Sequence, residues 1–191
     1  MTMAGGEVPL GRAFDEPATQ FLVAMAGLPA SGKSTIAELL AARLGTTVVS
    51  VDPIEAAILA AGIDADQPTG LAAYLVAQTI AGQALEAGRS IVVDAVNAVE
   101  PARLAWRDLA ERTGARLRVI EVQCLDEALH AERLAKRSSA LEALARDRAV
   151  EQSIAEYSEW RGPCAELPRI TLDTSQPLGR NVELAADFLS S

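Results

Sequence analysis

The most chemically loaded stretch of the chain is Gly27-Leu28-Pro29-Ala30-Ser31-Gly32-Lys33-Ser34-Thr35, which fills every fixed position of the pattern G-x-x-x-x-G-K-[ST]. Such a loop holds phosphate oxygens. A glycine-punctuated turn aims successive backbone N–H groups inward, and the helix that follows adds the partial positive charge of its N-terminus. The cradle would run from Gly27 through Ala30, Ser31, Gly32, Lys33, Ser34 and Thr35. Lys33 would reach the β- and γ-phosphates, and the Ser34 hydroxyl would ligate Mg²⁺. Lysine is scarce elsewhere: of 17 Lys and Arg residues, only Lys33 and Lys136 are lysine. One of those two falls where the pattern requires it.

Two carboxylates and two arginines extend the set. Asp52 follows the β-branched run Thr46 to Val51 and precedes Pro53. It reads either as a helix N-cap or as a base that takes the proton of an attacking hydroxyl. Asp94 ends the apolar run Ile91-Val92-Val93 as a Walker-B aspartate does, and could hold Mg²⁺ directly or through water. The other reading is a strand-end aspartate turning into Asn97. Arg133 and Arg137, four apart, would share one helical face, either as a solvated stripe or as positive charge over a transferring phosphoryl group. Arg146 and Arg148 could belong to the same lid. His130, the single histidine, reads as structural or solvent-exposed.

These residues need a frame that carries distant segments to one edge. Strand-like runs occupy 21–26, 46–51, 90–94, 116–123 and 169–173. Helical patterns cover 36–44, 54–61, about 69–87, 101–113 and 182–189, with a long charged region from Asp126 to about Trp160 that breaks near Ser138-Ser139. Strands alternating with helices predict an α/β fold whose parallel sheet is covered on both faces. Ligands then gather at the carboxyl ends of the strands. The loop at Gly27, Asp52 and Asp94 all fall there.

At 191 residues the chain suits one domain with a modest lid. Residues 1–19 read as a loosely held leader, and 20–191 as the single domain. The net charge of −9 opposes nonspecific contact with nucleic acid or anionic membrane. No apolar run reaches membrane-spanning length, and the N-terminus lacks a signal-peptide pattern. Cys124 and Cys164 are too few and too far apart for a disulfide framework or metal knuckle, so a cytoplasmic location is expected.

From Phe21 to its end the chain resembles the P-loop kinases of the polynucleotide kinase and chloramphenicol phosphotransferase group, and more distantly zeta toxins and shikimate kinase. The resemblance is carried by Gly27 to Thr35, Asp52, Val92-Val93-Asp94-Ala95-Val96-Asn97, Arg133-Leu134-Ala135-Lys136-Arg137 and the last loop, Asp173-Thr174-Ser175-Gln176-Pro177. It implies a three-layer αβα P-loop NTPase fold with a five-stranded parallel sheet of order 2-3-1-4-5, and an arginine-bearing helical lid over about 133–150. It also implies ATP and Mg²⁺, Asp52 as catalytic base, and Thr174 and Ser175 beside the adenine. One departure matters. Polynucleotide kinases of this type carry an arginine three residues after the base, where this chain has Glu55. The expected reaction is therefore phosphoryl transfer from ATP to a hydroxyl of a neutral or cationic small molecule, bound near Ile54, Ile58, Leu71 and Tyr74. Two alternatives stand beside it: a polynucleotide or nucleoside 5′-hydroxyl kinase, and an ATP-binding regulatory module with weak ATPase activity. The chain has no Asn-Lys-x-Asp guanine motif, which weakens a GTPase reading.

Overall fold

Phe21–Ala26 (β1) is apolar at every position, and a strand with no polar face must be covered on both sides. In the computed structural model, which describes residues 20–138 and 155–191 with backbone alone at 137 and 138, β1 is the middle strand of the sheet. Val48–Ser50 (β2), Ile91–Asp94 (β3), Arg116–Gln123 (β4) and Arg169–Asp173 (β5) complete it. All pairings are parallel and the order is β2-β3-β1-β4-β5, as the resemblance implies. Leu22 lies opposite both Ile91 and Leu117, which sets the register of the three central strands.

Alternation along β1 divides the core in two. Leu22, Ala24 and Ala26 face Thr69–Glu86 (α3) and Glu100–Thr113 (α4), where Leu85, Trp106 and Leu109 are buried. Ala73, Ala77 and Ala81 repeat every four residues on α3, a small-residue face that lets the helix lie close to the strands. Val23 and Met25 point the other way, into Lys33–Leu44 (α1) and Leu178–Ser190 (α6). The result is a three-layer αβα sandwich. Glu127–Ser138 (α5) follows β4, and a short 3-10 turn, Gly162–Glu166, precedes β5.

The second strand is shorter than expected, and the helix after it, Val51–Ala60 (α2), starts earlier. Ser50, in extended backbone, holds the N-cap position, and no side chain caps the helix. Asp52 as N-cap is therefore corrected: it lies inside the first turn. Val51 is buried in the α3-side core, and anchoring it there turns the chain before the Asp-Pro pair. Pro53 is tolerated because first-turn N–H groups have no helical partner. Similarly α6 begins at Leu178, directly after Pro177, rather than at Val182. Residues 157–160 are not helical, so the charged helical region does not run on to Trp160. The leader 1–19 and most of the expected lid, with Arg146 and Arg148, lie outside the described residues, as does the side chain of Arg137. No helix among the described residues is long and apolar enough to cross a membrane.

Candidate active site

The phosphate-type loop is built from backbone that few residues could supply. Gly27 has φ 140°, and a Cβ there would stand 2.2 Å from the Val122 carbonyl oxygen. Only glycine fits between β1 and β4 at that point. Ala30 and Gly32 also take positive φ, at 61° and 93°. The Gly27 N–H donates to the Val96 carbonyl at 3.1 Å, which ties the loop to the segment after β3. Lys33, the first residue of α1, is 3% exposed, while Ser34 and Thr35 are open to solvent. No side chain caps α1, so its first N–H groups remain free of a capping side chain, the arrangement an anion can use.

Beside the loop, sheet register brings two carboxylates to one edge. Ser50 pairs with Asp94 across β2 and β3, and its hydroxyl donates to Asp94 Oδ2 at 3.4 Å. Asp94 is 7% exposed, and its Oδ1 has no hydrogen-bond partner among the described residues. A buried carboxylate oxygen left so is costly unless a cation or donor meets it. Asp94 with the Ser34 hydroxyl offers hard oxygen ligands of the kind Mg²⁺ takes. The reading of Asp94 as a turn partner of Asn97 finds no support, because the Asn97 side chain is used elsewhere. Asp52 is exposed in the first turn of α2, two residues beyond Ser50.

Tyr74 of α3 packs partly buried against the α3-side core. Its hydroxyl is pushed up to about 12, chiefly by burial; the Asn97 N–H lowers it, and the charges of Asp52, Asp94 and Glu55 raise it further. The Asn97 N–H donates to Tyr74 Oη at 3.0 Å. Glu55, one turn after Asp52, accepts the Thr69 hydroxyl at 2.8 Å and so links α2 to the start of α3. Ile54 and Ile58 pack partly buried beside the same core, whereas Leu71 is exposed.

On the far side of the loop, α5 is strapped down by the two ends of one helical face. His130 Nε2 lies 2.8 Å from the Pro29 carbonyl, a structural contact with the loop itself. Arg133 donates to the Thr174 hydroxyl at 2.8 Å and to the Thr174 carbonyl at 3.2 Å. The Thr174 hydroxyl in turn donates to the Ser31 carbonyl at 2.6 Å. Arg133 thus sits on the last loop, the nucleoside side of the resemblance. Asp173 organises that loop: the Ser175 hydroxyl and N–H and the Leu125 N–H hold its carboxyl down to about 2. Ser175 is exposed but turned toward Asp173.

Two polar centres escaped the sequence. Asn97, in left-handed backbone at φ 50°, donates its amide to the Met25 carbonyl at 2.6 Å and accepts Trp106 Nε1 at 2.8 Å. Arg103 then donates to the carbonyls of Asn97, Ala98 and Ser158. Glu121 of β4, 3% exposed, accepts the Tyr157 hydroxyl at 2.9 Å, Trp160 Nε1 at 2.7 Å and the Thr171 hydroxyl at 3.1 Å, and pairs with Arg169. Burial alone would raise its carboxyl, yet these donors hold it below the usual range. Arg103 stacks 3.9 Å from the Trp160 ring centroid and Arg169 4.5 Å from it. A polar residue inside an apolar strand was the one available signal for Glu121.

No curated protein sequence matches the chain at a significant level. Solved structures do match. The APS kinase CysC of Mycobacterium tuberculosis, in complex with AMPPNP and APS, has a TM-score of 0.63 at 20% identity, over 92% of this chain and 100% of that one. A gluconokinase of Sinorhizobium meliloti 1021 has a TM-score of 0.62 at 20% identity, over 91% and 92%. Kti12 of Chaetomium thermophilum, in complex with ADP-AlF3, reaches 0.67 at 16% identity, over 87% and 97%. These likenesses establish a shared fold, that of the P-loop small kinases. The AAA domain family (AAA_33) matches residues 22–160, spanning the phosphate-type loop, both strand-end carboxylates and the Arg103 centre. The chain belongs to that AAA domain family.

Proposed function

We propose that this protein is an ATP-dependent phosphotransferase acting on a hydroxyl of a small molecule that carries no negative charge. The observation that carries the reading is the shared edge: the Gly27–Thr35 loop, Asp52 and Asp94 all follow strands whose carboxyl ends lie side by side. ATP is the phosphate donor, a reading supported by solved structures of the same fold in complex with AMPPNP or ADP-AlF3. The loop N–H groups and Lys33 hold its phosphates. Asp94 and Ser34 would hold Mg²⁺, which would supply charge neutralisation for the phosphate groups when bound.

Asp52 orients the acceptor hydroxyl and takes its proton. The acceptor oxygen bonds to the γ-phosphorus, and the bond from that phosphorus to the bridging oxygen breaks. The electron pair stays on ADP, and the proton on Asp52 passes to water. Arg133, through Thr174, fixes the last loop against Ser31 and so shapes the nucleoside side.

The reading is tested by ATP titration followed by ADP release with a panel of hydroxyl compounds. Lys33→Ala should weaken transfer by about 3 kcal/mol of transition-state stabilisation, the scale for one preorganised electrostatic contact. Unaltered ATP affinity and ADP release in that variant would sink the nucleotide site.

A further inference from the structure

A peptide unit carries a donor and an acceptor on opposite edges of one plane, so a single unit can tie two elements together. The unit joining Val96 to Asn97 does this between the two halves of the site. Its carbonyl accepts the N–H of Gly27, the first residue of the phosphate-type loop, at 3.1 Å. Its N–H donates to Tyr74 Oη on α3 at 3.0 Å. The phenol and the entrance of the loop are thus joined through one plane.

That plane has little freedom to turn. Asn97 is 2% exposed and holds left-handed backbone at φ 50°. Such backbone costs a residue that has a side chain, and it persists where the surroundings hold it. Here every polar atom of Asn97 is engaged. Besides the N–H, Nδ2 donates to the carbonyl of Met25, Oδ1 accepts Trp106 Nε1, and the carbonyl accepts Arg103 Nε. Gly27 is closed in from its other side by the Val122 carbonyl. The start of the loop therefore takes its place from the Val96–Asn97 unit. Of that unit's own two hydrogen bonds, one goes to Gly27 and the other to Tyr74.

We propose that Tyr74 is a positioning residue for phosphoryl transfer: its hydroxyl oxygen fixes the Val96–Asn97 peptide, and that peptide fixes Gly27 and the loop behind it. The proposal rests on the kinase reading above. Without Oη, the N–H of a buried residue would lose its acceptor, which is costly enough to turn the unit toward another partner. Because the unit is planar, its carbonyl would turn with it and the bond to Gly27 would weaken. The ring itself packs against Trp106, with centroids 6.4 Å apart, and phenylalanine would keep that packing. The link is reciprocal: what occupies the loop is felt at Tyr74, and what meets Tyr74 is felt at the loop.

The test is Tyr74→Phe in the full chain labelled with ¹⁵N-glycine, read without any acceptor so that direct contact with substrate plays no part. The Gly27 amide should shift and exchange with solvent about tenfold faster, the scale of one hydrogen bond left unsatisfied. Gly82 and Gly88, within α3 and just after it, should stay as in wild type, while AMPPNP binds severalfold more weakly. A phenol with a merely structural role would instead loosen Gly82 and Gly88 together with Gly27, in step with a lowered melting temperature. That pattern, or an unmoved Gly27, overturns the proposal. If Tyr74→Phe does not fold, the wild type decides. Its two tyrosines, Tyr74 and Tyr157, take 3-fluorotyrosine, and AMPPNP should move the Tyr74 fluorine resonance, assigned with Tyr157→Phe. A Tyr74 resonance indifferent to bound AMPPNP overturns the proposal. A wild type that binds no AMPPNP fails the kinase reading by itself, and the Gly27 comparison, made on the nucleotide-free chain, is read apart from it.

Discussion

Replacing the proton acceptor at Asp52 should separate chemistry from folding. Asp52 is exposed and does not cap α2, so Asp52→Asn removes the base without removing a helix cap. Transfer should fall roughly 10²–10⁴-fold, the range for losing a general base. Stability should drop by no more than about 1 kcal/mol, from the lost interaction between a carboxylate and the positive end of the helix. Single-turnover transfer and a urea midpoint measure the two effects apart. A loss of transfer that tracks the loss of stability would return Asp52 to a structural role. At this scale the sequence was readable where chemistry demands a residue type at a fixed spacing, as with Lys33 and Ser34. It was not readable at Asn97. Nothing local says that this side chain bonds Met25, 72 positions away, while holding Trp106.

Among elements, α5 carries the clearest consequence. His130 holds it to Pro29 and Arg133 holds it to Thr174, so one helix bridges the phosphate-type loop and the last loop. Arg133→Ala should therefore raise KM for ATP severalfold with a smaller effect on kcat, because its contacts lie on the nucleoside-side loop rather than at the reacting atoms. Steady-state kinetics in ATP decides this. A lowered kcat at constant KM would mean that the guanidinium leaves Thr174 to meet the transferring phosphoryl group. The element boundaries explain what could be read ahead of the structure. Strands β1 and β3 were legible because the wholly apolar runs Phe21–Ala26 and Ile91-Val92-Val93 have one stable location, inside a parallel sheet. The β2–α2 junction was not, because Asp-Pro is a strong local signal and burial of Val51 overrides it. The Arg133–Thr174 contact spans 41 positions and His130–Pro29 spans 101, separations at which periodicity carries no information.

For the whole molecule, acid is the revealing solvent. Glu121 and Asp173 both have carboxyl pKa values below their usual ones, 4.5 and 3.8, and Asp173 reaches about 2. Unfolding frees both groups to take up protons at their ordinary values. Their contribution is therefore complete above about pH 4.5, and it drains away as pH falls toward the folded values. Urea midpoints taken from pH 5 downward, at about half-unit steps, should fall steeply in wild type and less steeply in Glu121→Gln. Parallel curves would mean that the Glu121 centre does not titrate with folding.

That same centre has a consequence for the chain as a polymer. Tyr157 and Trp160 are fastened to β4 through Glu121, and α5 is fastened at His130 and Arg133. In the sequence, residues 139–154 join these two anchored segments. Joining two fixed points costs any chain a closure entropy that varies only logarithmically with its length, about 0.6 kcal/mol per doubling. Exchanging those residues for a Gly-Ser linker of equal length should leave the melting transition and nucleotide binding close to wild type, while removing whatever Arg146 and Arg148 contribute to transfer. Calorimetry and ADP release on that one chimera would tell a removable attachment from a structural member, and a collapsed transition would mean the sheet depends on the tether itself.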